Sequence, residues 1–253
     1  MLKKLDYDWE YNVLGAINYK EYNGALRFFF DFVRENHDTF EGDIVEAGVF
    51  KGLSLIGMGL MLRELGSDKL VYGFDSFAGF PPVYAKEDEL ESFGELYAAG
   101  KISKNHYEMT KRNFLVRQAL AGEEQTARNL SSSGDFSGTS RMLVEKKIEL
   151  LGLNNVVLID GPFQKTMVPE NGPKKVMAAL MDCDLYHSYL TSFSYLWPKM
   201  SMGGLVYLDE YFSLKFPGGR IATDEFLAGR PEASLIKFHE RDGEFERWGV
   251  LKQ

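Results

Sequence analysis

DIVEAGVFKGLSLIGMGLMLREL, Asp43–Leu65, runs from a short β-branched stretch through a glycine-bearing turn into an apolar segment of helical length. Asp43–Phe50 predicts a strand. The residues from Leu53 onward predict a helix, apolar nearly all round, that closes at Arg63, Glu64 and Gly66. A strand without polar alternation followed by a buried helix is the unit of a parallel sheet covered on both faces. Four further runs repeat the pattern: Leu70–Phe77, Val156–Phe163, Val176–Asp182 and Gly204–Tyr211. Leu26, Phe29, Phe30 and Val33 recur at helical spacing and predict a helix ahead of the first strand, ending near Asn36–Asp38. The expected class is α/β, with helices on both faces of a five-stranded sheet.

The chain has 253 residues, 45% of them hydrophobic, enough for one full core without disulfides or metal staples. Twenty-nine basic against 37 acidic side chains give a net charge of −8, and this sign opposes nucleic acid and anionic membrane as partners. The one cysteine, Cys183, excludes an internal disulfide and a thiolate zinc site, which points to a reducing compartment. No run approaches the about 18 uncharged apolar residues of a membrane helix. The expectation is a cytoplasmic protein with a single domain over 1–253.

Residues 81–140 differ in character, carrying EDELE, AGEEQ and SSSGDFSGTS. So much polar sequence between two strands is uncommon unless it is a lid or binding element. Helical pieces are expected near Asp88–Ala99 and Tyr107–Ala121. A helix capped by Thr139 or Ser140 follows and is closed by Gly152. Pro198 is expected to end the helix after the fourth strand, with Gly203 and Gly204 turning the chain into the fifth.

Three places could carry chemistry. In VEAGVFKGLS, Val45–Ser54, Gly48 and Gly52 allow close backbone approach at a new helix start. The spacing is neither that of dinucleotide folds nor that of phosphate loops, since Lys51 precedes Gly52. Glu46 before the turn would repel a pyrophosphate and attract an amino or sulfonium cation; packing glycines at an ordinary turn are the plainer alternative. Asp75 ends the second strand, where an acid can hold ribose hydroxyls or cap the next turn. Asp182 ends the fourth strand, and Asp209 with Glu210 ends the fifth. Carboxylates crowded at one sheet edge repel unless a cation sits among them, and an all-oxygen set selects a hard ion such as Mg²⁺.

With GDIVEAGVFKG, VYGFDSFAGFP, LIDGPFQKTMVP and MDCDLYHSYLTSFSYLWPKMSMGGLVYLDEYF in order, the chain resembles a class I S-adenosylmethionine-dependent O-methyltransferase of the macrocin O-methyltransferase family. The resemblance implies a Rossmann-like class I methyltransferase sheet with an inserted helical lid. The implied donor is S-adenosylmethionine, the implied ion Mg²⁺ or another hard dication, and the implied acceptor a small molecule, a sugar or sugar-bearing natural product. A catechol-like acceptor and a non-catalytic S-adenosylmethionine-binding protein stand as alternatives. By resemblance, Gly48, Phe50, Gly52 and Ser54 surround the methionine part of the donor, Asp75 holds the ribose, and Phe163 and Gln164 border the adenine; Glu46, Ala47, Ser76, Phe77 and Asp182 are the further residues expected to bind the donor. Asp182, Asp209 and Glu210 match the metal positions, Glu210 standing where the sugar family usually has Asp. Asp182 and His187 are the catalytic candidates; His37, His106 and His239 are the other histidines, and Asp184 is a further candidate base. The resemblance also suggests a homo-oligomer.

Overall fold

The computed structural model describes residue 2, residues 4–122, 125, 126, 128–240 and 245–253. Seven strands form one sheet in the order β3-β2-β1-β4-β5-β7-β6. They are β1 (Asp43–Ala47), β2 (Val71–Asp75), β3 (Val156–Asp160), β4 (Val176–Met181), β5 (Met200–Leu208), β6 (Ala233–Glu240) and β7 (Glu246–Lys252). The five from β1 to β5 pair in parallel, and β7 runs antiparallel between β5 and β6. The five strands expected from sequence are all present. The β6–β7 pair extends the sheet beyond them.

Helices lie on both faces. Against one face pack α1 (Asp8–Leu14), α2 (Arg27–Asn36), α3 (Leu53–Glu64) and α6 (Arg141–Leu151), around Phe29, Phe30, Leu55, Ile56 and Val144. Against the other pack α7 (Phe163–Thr166), α8 (Tyr186–Leu196) and α9 (Gly218–Leu227), around Phe163, Tyr189, Phe193 and Phe226. The helix α3 buries every residue from Ser54 to Leu62, as its all-round apolar sequence requires. Ser140 caps α6 by accepting the Leu143 N–H, and Gly152 closes it in the left-handed conformation.

The fifth strand departs from expectation. It begins at Met200, with Gly203 and Gly204 inside it. Val176 pairs with Met200 and Ala178 with Leu205, so three extra residues loop out of β5. Gly203, at φ +76°, makes that bulge, and a Cβ there would lie 3.0 Å from the Phe40 ring.

Between β2 and β3 the 81–140 stretch forms α4 (Ser92–Ala98) and α5 (Lys104–Ala121). Phe93, Leu96 and Ile102 make a small core of their own, packed against Tyr107 and Ile221. Residues 123 and 124, the acids of AGEEQ, and residue 127 lie outside the described residues. Among the described residues, no helix is long and apolar enough to cross a membrane.

Candidate active site

Strand register assembles the site. Phe74 of β2, Ala47 of β1, Met181 of β4 and Leu208 of β5 share one row across the sheet. One residue further on, at the carboxyl ends of the strands, the row reads Asp75, Gly48, Asp182, Asp209. Backbone bonds continue the ladder there: the Gly48 N–H donates to the Phe74 carbonyl at 2.9 Å, Asp182 to Ala47 at 3.0 Å, and Asp209 to Met181 at 3.0 Å. The chain reverses its strand order between β1 and β4, and the crevice at such a reversal is where an open α/β sheet takes its ligand.

Gly48 occupies the centre of that row at φ +94°, and an added Cβ would stand 1.8 Å from the Asp182 carbonyl oxygen. Only glycine permits this approach of β1 to β4. Beside it, Asp75 organises the turn. One carboxylate oxygen accepts from the N–H groups of Val49 (2.7 Å) and Phe50 (2.8 Å), the other from Phe77 (2.7 Å). Phe50 and Phe77 both sit at positive φ, 50° and 48°, a strained backbone for an aromatic residue that these hydrogen bonds hold in place. A carboxylate offers about four lone-pair sites, and three backbone N–H groups already draw on those of Asp75. Glu46 is 2% exposed, accepts from Ser54 Oγ at 2.7 Å, and is lifted by burial to a pKa of about 8.

Of the remaining positions expected around the donor, Ser76 closes a local turn, accepting from Ala78 N–H and donating to the Gly79 carbonyl. Phe77 packs on the first core. Phe163 is buried in the second. Gln164 is exposed on α7, where it lines a cavity of about 560 Å³ with Leu190, Ser194 and Tyr195 of α8. The structure therefore gathers Glu46, Ala47, Gly48, Phe50, Gly52, Ser54 and Asp75 at one turn and sets the side chain of Gln164 against α8.

The acids converge as the register demands. One carboxylate oxygen from each of Asp182, Asp209 and Glu210 lies within 4.8 Å of the others. Glu210 is buried, and its Oε2 accepts from the Tyr189 hydroxyl at 2.6 Å, while the same hydroxyl accepts the Glu210 N–H at 3.1 Å. Burial, reinforced by Asp209, drives the Asp182 carboxyl well above the usual carboxylate range; burial and Asp184 do the same to Glu210. Asp184, buried at φ +59°, is pushed up by burial to about 7, with Lys215 pulling the other way. Among the described residues, four carboxyls thus face a single nearby lysine, Lys215, and the all-oxygen set of Asp182, Asp209 and Glu210 fits a hard divalent cation.

The histidines lie elsewhere. His187 is exposed on the first turn of α8, its ring 5.2 Å from that of Tyr186. His106 of α5 is buried, bonds the Ser213 carbonyl through Nε2 at 2.7 Å and stacks on Phe212 at 4.0 Å, fastening α5 to the loop behind Glu210. His37 lines a cavity with Gly42, Asp43 and Lys175, at the amino ends of β1 and β4. The imidazole of His239 lies outside what the structure describes.

Asp88, one of four acids in EDELE, carries a role its sequence does not announce. It is 1% exposed; its Oδ1 accepts the Tyr186 N–H at the start of α8 at 2.7 Å, and a Cβ on Gly218, first residue of α9, would lie 2.0 Å from that oxygen. Asn113 of α5 donates to the Leu214 carbonyl at 3.0 Å, and Arg220 of α9 to that of Lys101 at 2.6 Å. Nothing in the string separates Asp88 from Glu87 or Glu89, nor marks Lys215 as the cation facing the acids.

This strand order, with a glycine turn after β1 and acids after β4 and β5, defines a class I S-adenosylmethionine-dependent methyltransferase. Residues 26–121 and 118–234 match the model of the macrocin O-methyltransferase family, and the chain belongs to that family of S-adenosylmethionine-dependent O-methyltransferases. It is similar to demethyldecarbamoylnovobiocin O-methyltransferase of Streptomyces niveus, 29% identical over 238 residues that cover 93% of this chain and 76% of that protein. It is also similar to 8-demethyl-8-(2,3-dimethoxy-alpha-L-rhamnosyl)-tetracenomycin-C 4'-O-methyltransferase of Streptomyces olivaceus, 27% identical over 175 residues, 69% of this chain and 54% of that protein. The solved structure of the O-methyltransferase NovP shares the fold, with TM-score 0.59 and 23% identity over 88% of this chain and 78% of that one.

Proposed function

We infer that the enzyme methylates a hydroxyl of a sugar or sugar-bearing natural product and does so with a divalent cation held by Asp182, Asp209 and Glu210. The observation that carries the cation is the convergence of three carboxylates within 4.8 Å at the row shared with Gly48. The acceptor class rests on the relatives, whose names place their methyl groups on an oxygen of demethyldecarbamoylnovobiocin and on the 4' oxygen of a rhamnosyl tetracenomycin.

When bound, S-adenosylmethionine supplies an electrophilic sulfonium methyl and the cation a Lewis acid for the acceptor oxygen. The chain's own part is orientation and proton handling. Asp75 holds the β1–α3 turn in the shape that receives the donor, and Glu46 offers a buried carboxyl whose ionisation a cationic donor favours. Asp184, poised near neutrality beside the metal acids, takes the acceptor's hydroxyl proton on its carboxylate. Its burial two residues on from Asp182 in the chain, within electrostatic reach of Asp209 and Glu210, suits that task better than the exposed His187. The 81–140 segment serves as a lid: bonded through Asp88, His106 and Asn113 to the loops that carry the acids, it keeps water from the reacting oxygen.

The test is calorimetric titration with S-adenosylhomocysteine and with Mg²⁺, followed by methyl transfer to a panel of deoxysugar glycosides before and after chelation. Transfer that stops on chelation and returns with Mg²⁺ is expected. Transfer indifferent to chelator refutes the cation, and transfer confined to catechols refutes the acceptor class.

A further inference from the structure

Tyr84 lies three residues past the start of the 81–140 segment, and its hydroxyl oxygen is buried without a hydrogen-bond partner. A buried tyrosine hydroxyl nearly always finds a partner, and leaving one unmade is costly. The surroundings make the exception specific. The Tyr84 ring meets Phe80 edge-on at 5.9 Å, and the Arg128 guanidinium covers it at 5.0 Å. Phe80 in turn touches Phe216, in the loop that follows Glu210, at 5.6 Å, and Phe136 at 5.0 Å; Phe136 touches Phe50 of the donor turn at 5.3 Å. Tyr84 is thus held at the junction between the donor turn and the acid loop, with its ring fixed and its hydroxyl unused.

We propose that Tyr84 is an acceptor-positioning residue, its hydroxyl hydrogen-bonding an oxygen of the sugar whose neighbouring hydroxyl is methylated. This rests on the reading of the acceptor as a sugar given above. Four residues on from Tyr84, Asp88 accepts the Tyr186 N–H at 2.7 Å, two residues past Asp184, so the chain that carries Tyr84 is fastened beside the assigned proton acceptor. A sugar presents hydroxyls on adjacent carbons, so an oxygen next to the reacting one can meet this donor. The ring cluster, its members meeting edge-on or tilted, contributes apolar surface against which sugar C–H groups can pack. The other two orphaned buried side-chain atoms among the described residues, Asn155 Oδ1 and Arg220 Nε, do not share this placement: Asn155 precedes β3 at the amino ends of the strands, and Arg220 is already bonded through its terminal nitrogens.

The test is Tyr84→Phe, which removes one oxygen and keeps the ring's contacts with Phe80 and Arg128. Methyl α-L-rhamnopyranoside serves as the acceptor probe. The free variant should melt no lower than wild type, because the lost hydroxyl had no partner, and its affinity for S-adenosylhomocysteine should stay within about twofold. The KM for the rhamnoside should rise roughly tenfold with kcat within about threefold, the pattern of a lost hydrogen bond to bound substrate. A lowered melting temperature, or an unmoved KM, overturns the role of Tyr84. Absence of transfer to the rhamnoside by wild type refutes the sugar reading itself, and with it the proposal; the donor titration tells this apart from a misfolded sample.

Discussion

Replacing Glu46 by glutamine should free the fold of a pH-dependent cost. The wild-type carboxyl is 2% exposed, has one hydrogen bond, from Ser54 Oγ, and is raised from 4.5 to about 8 by burial. Between these values the folded chain keeps a proton that the unfolded chain releases. Stability therefore falls as pH rises through the interval: the contribution is fully present below 4.5 and lost above about 8. At about 1.4 kcal/mol for each pH step, the loss from pH 5 to pH 7.5 is on the order of 3 kcal/mol. Urea denaturation of wild type and Glu46→Gln at both pH values measures it, and taking the difference between the two proteins cancels the other titrating groups. The gap should widen in favour of the variant by roughly 3 kcal/mol on going to the higher pH. A gap constant within about 0.5 kcal/mol would show that Glu46 is already ionised in the folded state, and the reasoning about the donor turn would fall with it.

Asp182→Ala and Asp209→Ala should each abolish transfer while S-adenosylhomocysteine affinity stays within roughly tenfold, since both acids are proposed to serve the ion more than the donor; an active variant removes its residue from the proposed ligand set. Gly48→Ala forces a Cβ to within 1.8 Å of the Asp182 carbonyl at φ +94°. It should destabilise the fold by about 3 kcal/mol or more and weaken donor binding, read by denaturation and calorimetry; near-normal values for both would refute the close approach of β1 to β4. Asp88→Ala removes the acceptor for the Tyr186 N–H, so limited proteolysis within 81–140 should accelerate several-fold; an unchanged cleavage rate would mean that Asp88 does not fasten the segment.

Much of the sheet can be read from the chain because each of the first five strands carries its own apolar run, and a parallel strand covered on both faces needs little else. The β6–β7 pair escapes that reading: ASLIKFHE and ERWGVLK mix charges with apolar residues, as a sheet margin partly open to solvent allows. Gly203 and Gly204 looked like a turn because sequence reports that glycine is needed but not whether the need is a loop or a bulge. The acids Asp182, Asp209 and Glu210 were visible as a set since strand ends share an edge. The capping of the turn after β2 by Asp75, which accepts the Phe77 N–H two residues on, was open to the sequence; its hold on Phe50 and the duties of His106 and Asp88 were not, because those partners lie 25 to 107 residues away, a separation no local pattern encodes.

The 81–140 segment leaves the sheet after β2, on the half that forms the β1–α3 glycine turn, yet its anchors reach α8, α9 and the loop after β5, on the half that carries the acids. It comes back across the first half, where Thr139 donates to the Phe50 carbonyl. One contiguous stretch of chain thus bridges both halves while contributing none of the proposed ion ligands. If the proposed lid selects the acceptor, preference can diverge by edits confined to that stretch, while the β1–α3 turn and the strand-end acids stay unchanged. A grafted 81–140 equivalent would be the unit to exchange when redirecting such an enzyme to a new sugar.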